Sequence, residues 1–525
     1  MKRQFIFLLL VSLFFNLVLT KTHKKSRKLS QETKDATKGA LRLGGSSSNI
    51  IIPDAGAEHP LVFSNVDQQP LCLPNKIIPT AIKLKAMTGY EFFVLTNQVK
   101  DPKKMVMDKA NHLLVISPNN GLYSIRMDKC GNQNMVQILE ANALDEPLGN
   151  GFALYDQYIY IISTNSVYRF NYSDGQHSPL KEKVKVISNI NPTGLTESSD
   201  IVINLFGQAF IPHTVTEVNM NTDASHAIIK KFNFHTIPES GYDFQQDGQV
   251  FVNGTNTQGL LSLDAQSQLW GINGISHIGS LSDYAEELNQ YSAQKNHGFP
   301  YCLTKHNSTV TQENHPAFVH GLADDYCQNP TSNVPPAIPL VPASASSALF
   351  YTGSFCSMGD QKTQGTSVGL PCTWTNTPMI ANHGLEGKPS GHNVVHLPFR
   401  DLLHTPRLDK KVDVLLEQAL PCRKKTCFSP FGLAFDGYGR LFVSSDETNE
   451  IVVLRRTFSE TAAQALTDIV EKSNEKKSKK KKSTEKDMNE EDEGTDQEEK
   501  TDQEEKTNQT EELNQEEEIN QEENN

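Results

Sequence analysis

At 525 residues with 37% apolar content, the chain is long enough to bury a sizeable core, as two or three ordinary domains or as one large all-β domain with tails. The formal net charge of −13 is concentrated at one end: residues 487–525 hold eighteen acidic residues against two lysines, a local −16, which leaves +3 for everything before them. A near-neutral body with no basic stripe and no interleaved aromatics excludes a nucleic-acid surface.

Lys2 and Arg3 precede an apolar run over residues 5–19, too short for a comfortable bilayer span and of the length of a secretory signal peptide. Residues 1–20 are therefore expected to be a signal peptide, and the product secreted. Residues 21–48, rich in Lys, Ser and Gly and almost without aromatics, are expected to be a disordered leader. No other segment reaches transmembrane length, so no membrane span is expected.

From about residue 50 to 457 a loose unit recurs: an apolar strand, a polar turn, and a second apolar strand ending in Ser or Asn. Its copies are KMVMDKANHLLVIS from Lys104, GFALYDQYIYIIS from Gly151, GLLSLDAQSQLWGIN from Gly259 and GLAFDGYGRLFVSS from Gly432. The equivalent positions Met105, Phe152, Leu260 and Leu433 are 47, 108 and 173 residues apart, near one, two and three multiples of a period of 50 to 58. Several short strands at that period predict propeller blades. Six blades are expected over residues 50–457, because 302–340 and 356–380 read as insertions.

Within this region residues 252–302 are the most informative. The first half alternates apolar and polar positions around an Asp-Ala-Gln-Ser turn, a strand pair. The second half gathers Asp283, Glu286, Glu287 and Asn289 into what reads as a polar loop, then closes on Phe299, Pro300, Tyr301 and Cys302. A β scaffold builds sites on such rim loops.

Eight cysteines without a CxxC pair, in a chain entering the secretory route, favour disulfides over metal sites. Cys302 with Cys327, and Cys422 with Cys427, are expected to staple rim loops; the pairing of Cys72, Cys130, Cys356 and Cys372 stays open. Sequons at Asn171, Asn253 and Asn307 are expected to carry glycans; Asn253 sits beside the polar stretch, where a glycan would block the rim. After a short helical pattern at residues 458–472, the lysine block and Glu/Gln/Asn tract of 473–525 cannot bury a core and should stay disordered.

The segments Leu269-Trp270-Gly271 with Asn273-Gly274, Ala285 to Asn289, and Gly298 to Cys302 stand in the order and spacing of LWGxxNG, AEELN and G-Y/F-P-Y-C. In this the chain resembles the six-bladed β-propellers of the pyrroloquinoline quinone (PQQ)-dependent pyranose dehydrogenases and glucose/sorbosone dehydrogenases. Further likenesses run from VKDPKKMVMDKANHLLVIS through LGNGFALYDQYIYIIS, SHAIIKKFNF and HGLEGKPSGHNVVHLPF to CFSPFGLAFDGYGRLFVSSDETNEIVVL. The resemblance implies PQQ held by arginines and a calcium ion, with a histidine base acting on the anomeric hydroxyl of a sugar. A carboxylate-bearing quinone needs charge-assisted donors, and hydride removal needs a base that titrates near the working pH.

At the positions that match, those groups are replaced. Leu195 stands for the base histidine, Thr255 and Ser429 for two arginines, and Ser344 for a second histidine. Asn256, Gln258, Asn289, Tyr301 and His383 remain as candidate cofactor contacts, and Asp283, Glu286 and Glu287 as candidate calcium ligands. Asn256 and Asn289 read equally as turn residues, Glu286 and Glu287 as a solvated face, and His383 as a buried histidine between strands. Two functional readings result. One is a monomeric propeller with a degenerate cofactor site that binds a carbohydrate or an extracellular protein; the other is an active quinoprotein that oxidises sugars at C1 with PQQ and calcium.

Overall fold

The computed structural model describes residues 50–52, 61–63 and 72–457, apart from 195, 216–223, 258, 275–283, 306–311, 315–324, 352–367, 386–390, 401–404, 408–409 and 423–425. The expected signal peptide, leader, short helix and tail, along with Gln258, Asp283 and Asn307, lie outside them.

The described residues build six antiparallel sheets of four principal strands each, a six-bladed propeller. The inner strands begin, in order, at Met105–Met107, Leu148–Tyr155, Val202–Ile203, Ser262–Leu263, Ala345–Phe350 and Pro430–Phe435. The ring is closed by the amino-terminal end of the chain. Tyr90–Thr96 adds the outer strand of the sixth blade by pairing with Glu450–Arg456, and Leu84–Ala86 adds a fifth strand to the fifth blade. Such closure leaves no long free edge between the first and last blades.

The turn between the first two strands of a blade explains the repeat seen in the sequence. In blades one, four and six an Asp at its start (Asp108, Asp264, Asp436) accepts from the backbone N–H groups two and four residues ahead, and in blade three Asn204 does the same. An Asx side chain that mimics a backbone turn is the physical content of the DKAN, DAQS and DGYG units. The glycine opening three of the repeats has a second cause. A Cβ on Gly151, Gly259 or Gly432 would stand 2.0 Å from Asp200, 2.2 Å from the Ser346 carbonyl or 2.3 Å from the Lys103 carbonyl. Inner strands of neighbouring blades approach too closely there for any side chain.

The step of 173 residues from Leu260 to Leu433 spans two blades, not three. Two insertions lengthen it: 302–337, which carries the small sheet Cys302–Thr304 with Gln312–Asn314, and 351–377 inside blade five. Apolar side chains pack between successive blades in separate clusters, such as Leu114, Phe152 and Ile161 between blades one and two, or Trp270, Phe350 and Phe399 between four and five.

Candidate functional site

All six inner strands start at one face, and there the second-to-third strand connections of blades three, four and five are long (216–227, 274–285 and 383–392), whereas those of blades one, two and six are tight. This face carries the candidate residues.

At its centre the strand starts are tied to one another. The Lys104 ammonium donates to Asp200 Oδ1 at 2.9 Å and to the Ile201 carbonyl at 2.9 Å, joining blades one and three, while Asp200 Oδ2 accepts from the Leu261 N–H at 2.8 Å. Leu260 donates to the Ser346 carbonyl, and Ser346 Oγ donates on to the carbonyls of Pro430 and Phe431. Asp200 is fully buried; desolvation raises its pKa against the lowering by the Lys104 charge.

Beside this centre, three blades contribute to one charged cluster. Asp446, after the second strand of blade six, accepts from Lys103 at 2.6 Å and bonds His383 Nε2 at 3.0 Å; Lys103 also reaches Asp101 at 2.9 Å and lies 4.4 Å from the centre of the Phe431 ring. Burial disfavours a charged imidazole, yet the bond and charge of Asp446 outweigh it and hold His383 above its ordinary value. Burial alone would raise Asp446, but its bonds and charge contacts with His383 and Lys103 hold it low. No further bond of the His383 ring occurs among the described residues.

The segment expected to be a polar loop is strand from Glu286 onward: Glu286–Tyr291 is the third strand of blade four, and Glu286, Glu287 and Asn289 are buried in it, not solvated or in a turn. Strand pleating sends neighbours to opposite faces. Glu286 accepts from the N–H groups of Ala343 (3.4 Å) and Ala345 (2.9 Å), fastening the start of blade five. Glu287 points the other way, accepts from Thr304 Oγ1 at 2.6 Å and shares its face with Asn289 and Tyr291. Burial raises the pKa of both glutamates. The geometry thus does not bring the two together as metal ligands. Asn289 Oδ1 bonds His297 Nδ1 at 3.2 Å, and the Tyr291 hydroxyl meets Thr255, Thr257 and Asn273 within 3.0 Å.

Asn256 is buried and accepts from the Val215 N–H at 3.2 Å, which anchors the long connection of blade three. Tyr301 is half-buried, its ring edge-on to Tyr326 beside the Cys302–Cys327 disulfide, whose Cα atoms are 5.5 Å apart. Cys422 and Cys427 are also paired, with Cα atoms 5.8 Å apart, and Cys72 pairs with Cys130. Asn253 is exposed at the end of a strand on the site face, and Asn171 is exposed at the opposite edge. Of the sequence candidates among the described residues, only His383 joins the charged cluster. Lys103, Lys104, Asp200 and Asp446 were missed; the doubled lysine ahead of Met105 and the SSD after the LFV strand were the signals available.

Residues 84–457 match a family model described as TrAA12-like. The chain belongs to that family. A relative of this TrAA12-like propeller, the pyrroloquinoline quinone-dependent sugar dehydrogenase of Hypocrea jecorina (strain QM6a), is 21% identical over 423 residues, 74% of this chain and 92% of the relative. Among solved structures, the iodide structure of Trichoderma reesei Carbohydrate-Active Enzymes Family AA12 aligns with a TM-score of 0.59 at 20% identity, over 73% of this chain and all of that one. The holo pyranose dehydrogenase PQQ domain from Coprinopsis cinerea aligns with a TM-score of 0.58 at 16% identity, over 74% of this chain and all of that one. The TrAA12-like chain is therefore one of the PQQ-dependent sugar dehydrogenase-like β-propellers. No helix among its described residues is long and apolar enough to cross a membrane.

Proposed function

We propose that this chain is a secreted propeller that keeps the TrAA12-like fold without PQQ-dependent sugar oxidation, and that it binds a neutral carbohydrate at the face where the inner strands begin. The observation that carries the reading is that the lysines of that face are already matched by carboxylates. Lys103 is held by Asp446 and Asp101, and Lys104 by Asp200, at 2.6 to 2.9 Å. A carboxylate-bearing quinone would have to displace one of these partners, and displacing Asp446 or Asp200 would leave a buried carboxylate unpaired.

The neighbouring positions supply no replacement. Thr255, standing where the resemblance expects an arginine, is buried with its hydroxyl bonded to Asn273 and Tyr291, and Ser429, at the other such position, is fully buried. Two described guanidinium groups are engaged elsewhere, Arg440 with Asp436 at the opposite edge and Arg455 with Glu91 of the outer strand of blade six. Among the described residues, the groups at these positions therefore do not fit PQQ. Glu286 and Glu287, on opposite faces of one strand and pushed toward the protonated form by burial, do not fit a calcium site either.

The charged cluster instead offers two carboxylates, one ammonium and one imidazole within bonding distance of one another. Such a set of balanced donors and acceptors suits hydroxyl groups better than a net charge. The second reading, an active quinoprotein, draws support from the relative's activity and from His383, a carboxylate-paired imidazole with a ring nitrogen left for a substrate.

The experiment is dye reduction by the purified chain with added PQQ, calcium and a panel of aldoses, run beside calorimetric titration with PQQ and with neutral oligosaccharides. The expected result is no turnover, no tight PQQ binding and saturable binding of an oligosaccharide that weakens in His383→Ala. Turnover of about 1 s⁻¹ or more, the range of ordinary enzymes, would overturn the proposal in favour of the quinoprotein.

A further inference from the structure

A cleft of about 380 Å³ opens between blades four and five, lined by Ile338–Leu340 and by strands of blade five, and it reaches Asn382 and Gly391 beside the 383–392 connection. Its floor is Leu340, Ile380, Val395 and Val414, side chains that belong to the apolar packing between these two blades. At its mouth stand Val341, 65% exposed, and Val412, 38% exposed, so apolar lining continues out to solvent. Neither valine gains anything from facing water, and Val341 is among the most exposed large apolar residues described.

Pro339, Pro342, Pro398 and Pro406 form much of its walls. Proline has a fixed φ and little freedom to lose, so these walls hold their shape whether or not a ligand is present. A preformed, mainly apolar cleft of this size is within the range of small-molecule sites. The polar lining is sparse and one-signed: the amides of Asn382 and Asn393, bonded to each other at 2.8 Å, and the cations Arg407 and Lys410, with no Asp or Glu among the described lining residues. Lys410 is exposed and follows a turn in which its N–H donates to the Arg407 carbonyl, so both cations come from one short segment at the opening.

We infer that this cleft binds a small amphipathic monocarboxylate, its aliphatic body against Ile380, Val395 and Val414 and its carboxylate beside Lys410. Charge complementarity selects this occupant. An oligosaccharide would find few partners in the apolar floor, and a cation would meet Lys410. A peptide strand adding to the edge of Ile338–Leu340 is disfavoured because Pro339, in the middle of that edge strand, lacks the N–H such pairing uses. The inference is independent of what the charged cluster binds.

The test is calorimetric titration of the full chain with decanoate and, separately, with decanol. Decanoate is expected to saturate one site and to bind at least about tenfold more tightly than decanol, because only the acid can use the cation. Lys410→Glu should weaken decanoate about tenfold or more and leave decanol unchanged. Val341→Asp, at a position 65% exposed, should weaken both. Equal binding of acid and alcohol, unaltered decanoate binding in Lys410→Glu, or no saturable decanoate binding would each overturn the inference.

Discussion

Lys104 and Asp200, 96 residues apart in sequence, form a buried ion pair that joins the first and third blades in front of the second. The Asp200 side chain fills the space that Gly151 leaves open on blade two. One pair therefore holds three inner strands together. Lys104→Met is expected to destabilise the chain by about 3 to 5 kcal/mol, because it strands a buried carboxylate, whereas the double variant Lys104→Met with Asp200→Asn should recover most of the loss. Urea denaturation of the parent chain and both variants checks this, and a double variant no more stable than Lys104→Met would contradict it.

His383 should titrate above the ordinary histidine value of about 6.5. Asp446→Asn removes the carboxylate responsible and should bring the midpoint down, to below that of the parent chain. Chemical-shift titration of labelled histidine reads both. A midpoint unchanged by Asp446→Asn would mean that the pair seen here does not govern the ring.

Acid should destabilise the propeller through three histidines. Burial pushes His213, His297 and His396 down to about 4. A folded value below the unfolded one of about 6.5 means that the unfolded chain binds more protons between those values, so stability is full above pH 6.5 and falls as pH drops toward 4. At pH 5 each of the three should cost about 2 kcal/mol. The raised pKa values of Glu286 and Glu287 act in the opposite sense and offset part of the loss. His297 is the cleanest probe, since its Nε2 is buried without a partner and burial is the whole cause of its shift. His297→Gln should shrink the stability difference between pH 7 and pH 5 by about 2 kcal/mol.

The Cys302–Cys327 disulfide closes a loop of sequence separation 25. Replacing both cysteines by serine should cost about 3 kcal/mol by the chain-entropy account and leave the blades intact. Thermal denaturation measures the loss. Peptide mapping under non-reducing conditions should find the same pair, together with Cys72–Cys130 and Cys422–Cys427; a shuffled pairing would contradict the fold of these loops.

Much of the propeller could be read along the chain because its causes are local. Asx turns at Asp108, Asp264 and Asp436 and the alternation around them each act within a few residues, so a period survives in the sequence. Both local disulfides were legible for the same reason. The count of blades was nearly obscured where insertions stretched the interval before Leu433, since a period can be read only while connections stay short.

Residues 286–289 show where local reading stops. A run of Glu, Glu, Leu and Asn has the composition of a solvated loop, but each side chain is matched by a partner from elsewhere: Glu286 by the backbone of 343–345, Glu287 by Thr304, and Asn289 by His297. Burial of a polar group is tolerable only when such a partner exists, and composition does not reveal partners. The charged cluster follows the same rule. His383 was visible as a residue, but Asp446 lies 63 positions away and Lys103 on the far side of the ring closure. The sequence by itself determined strands, turns and the family of folds, because those depend on neighbours in the chain; which charges neutralise one another on the face of the propeller was decided by the tertiary structure, because closing the ring sets residues from blades one, five and six side by side.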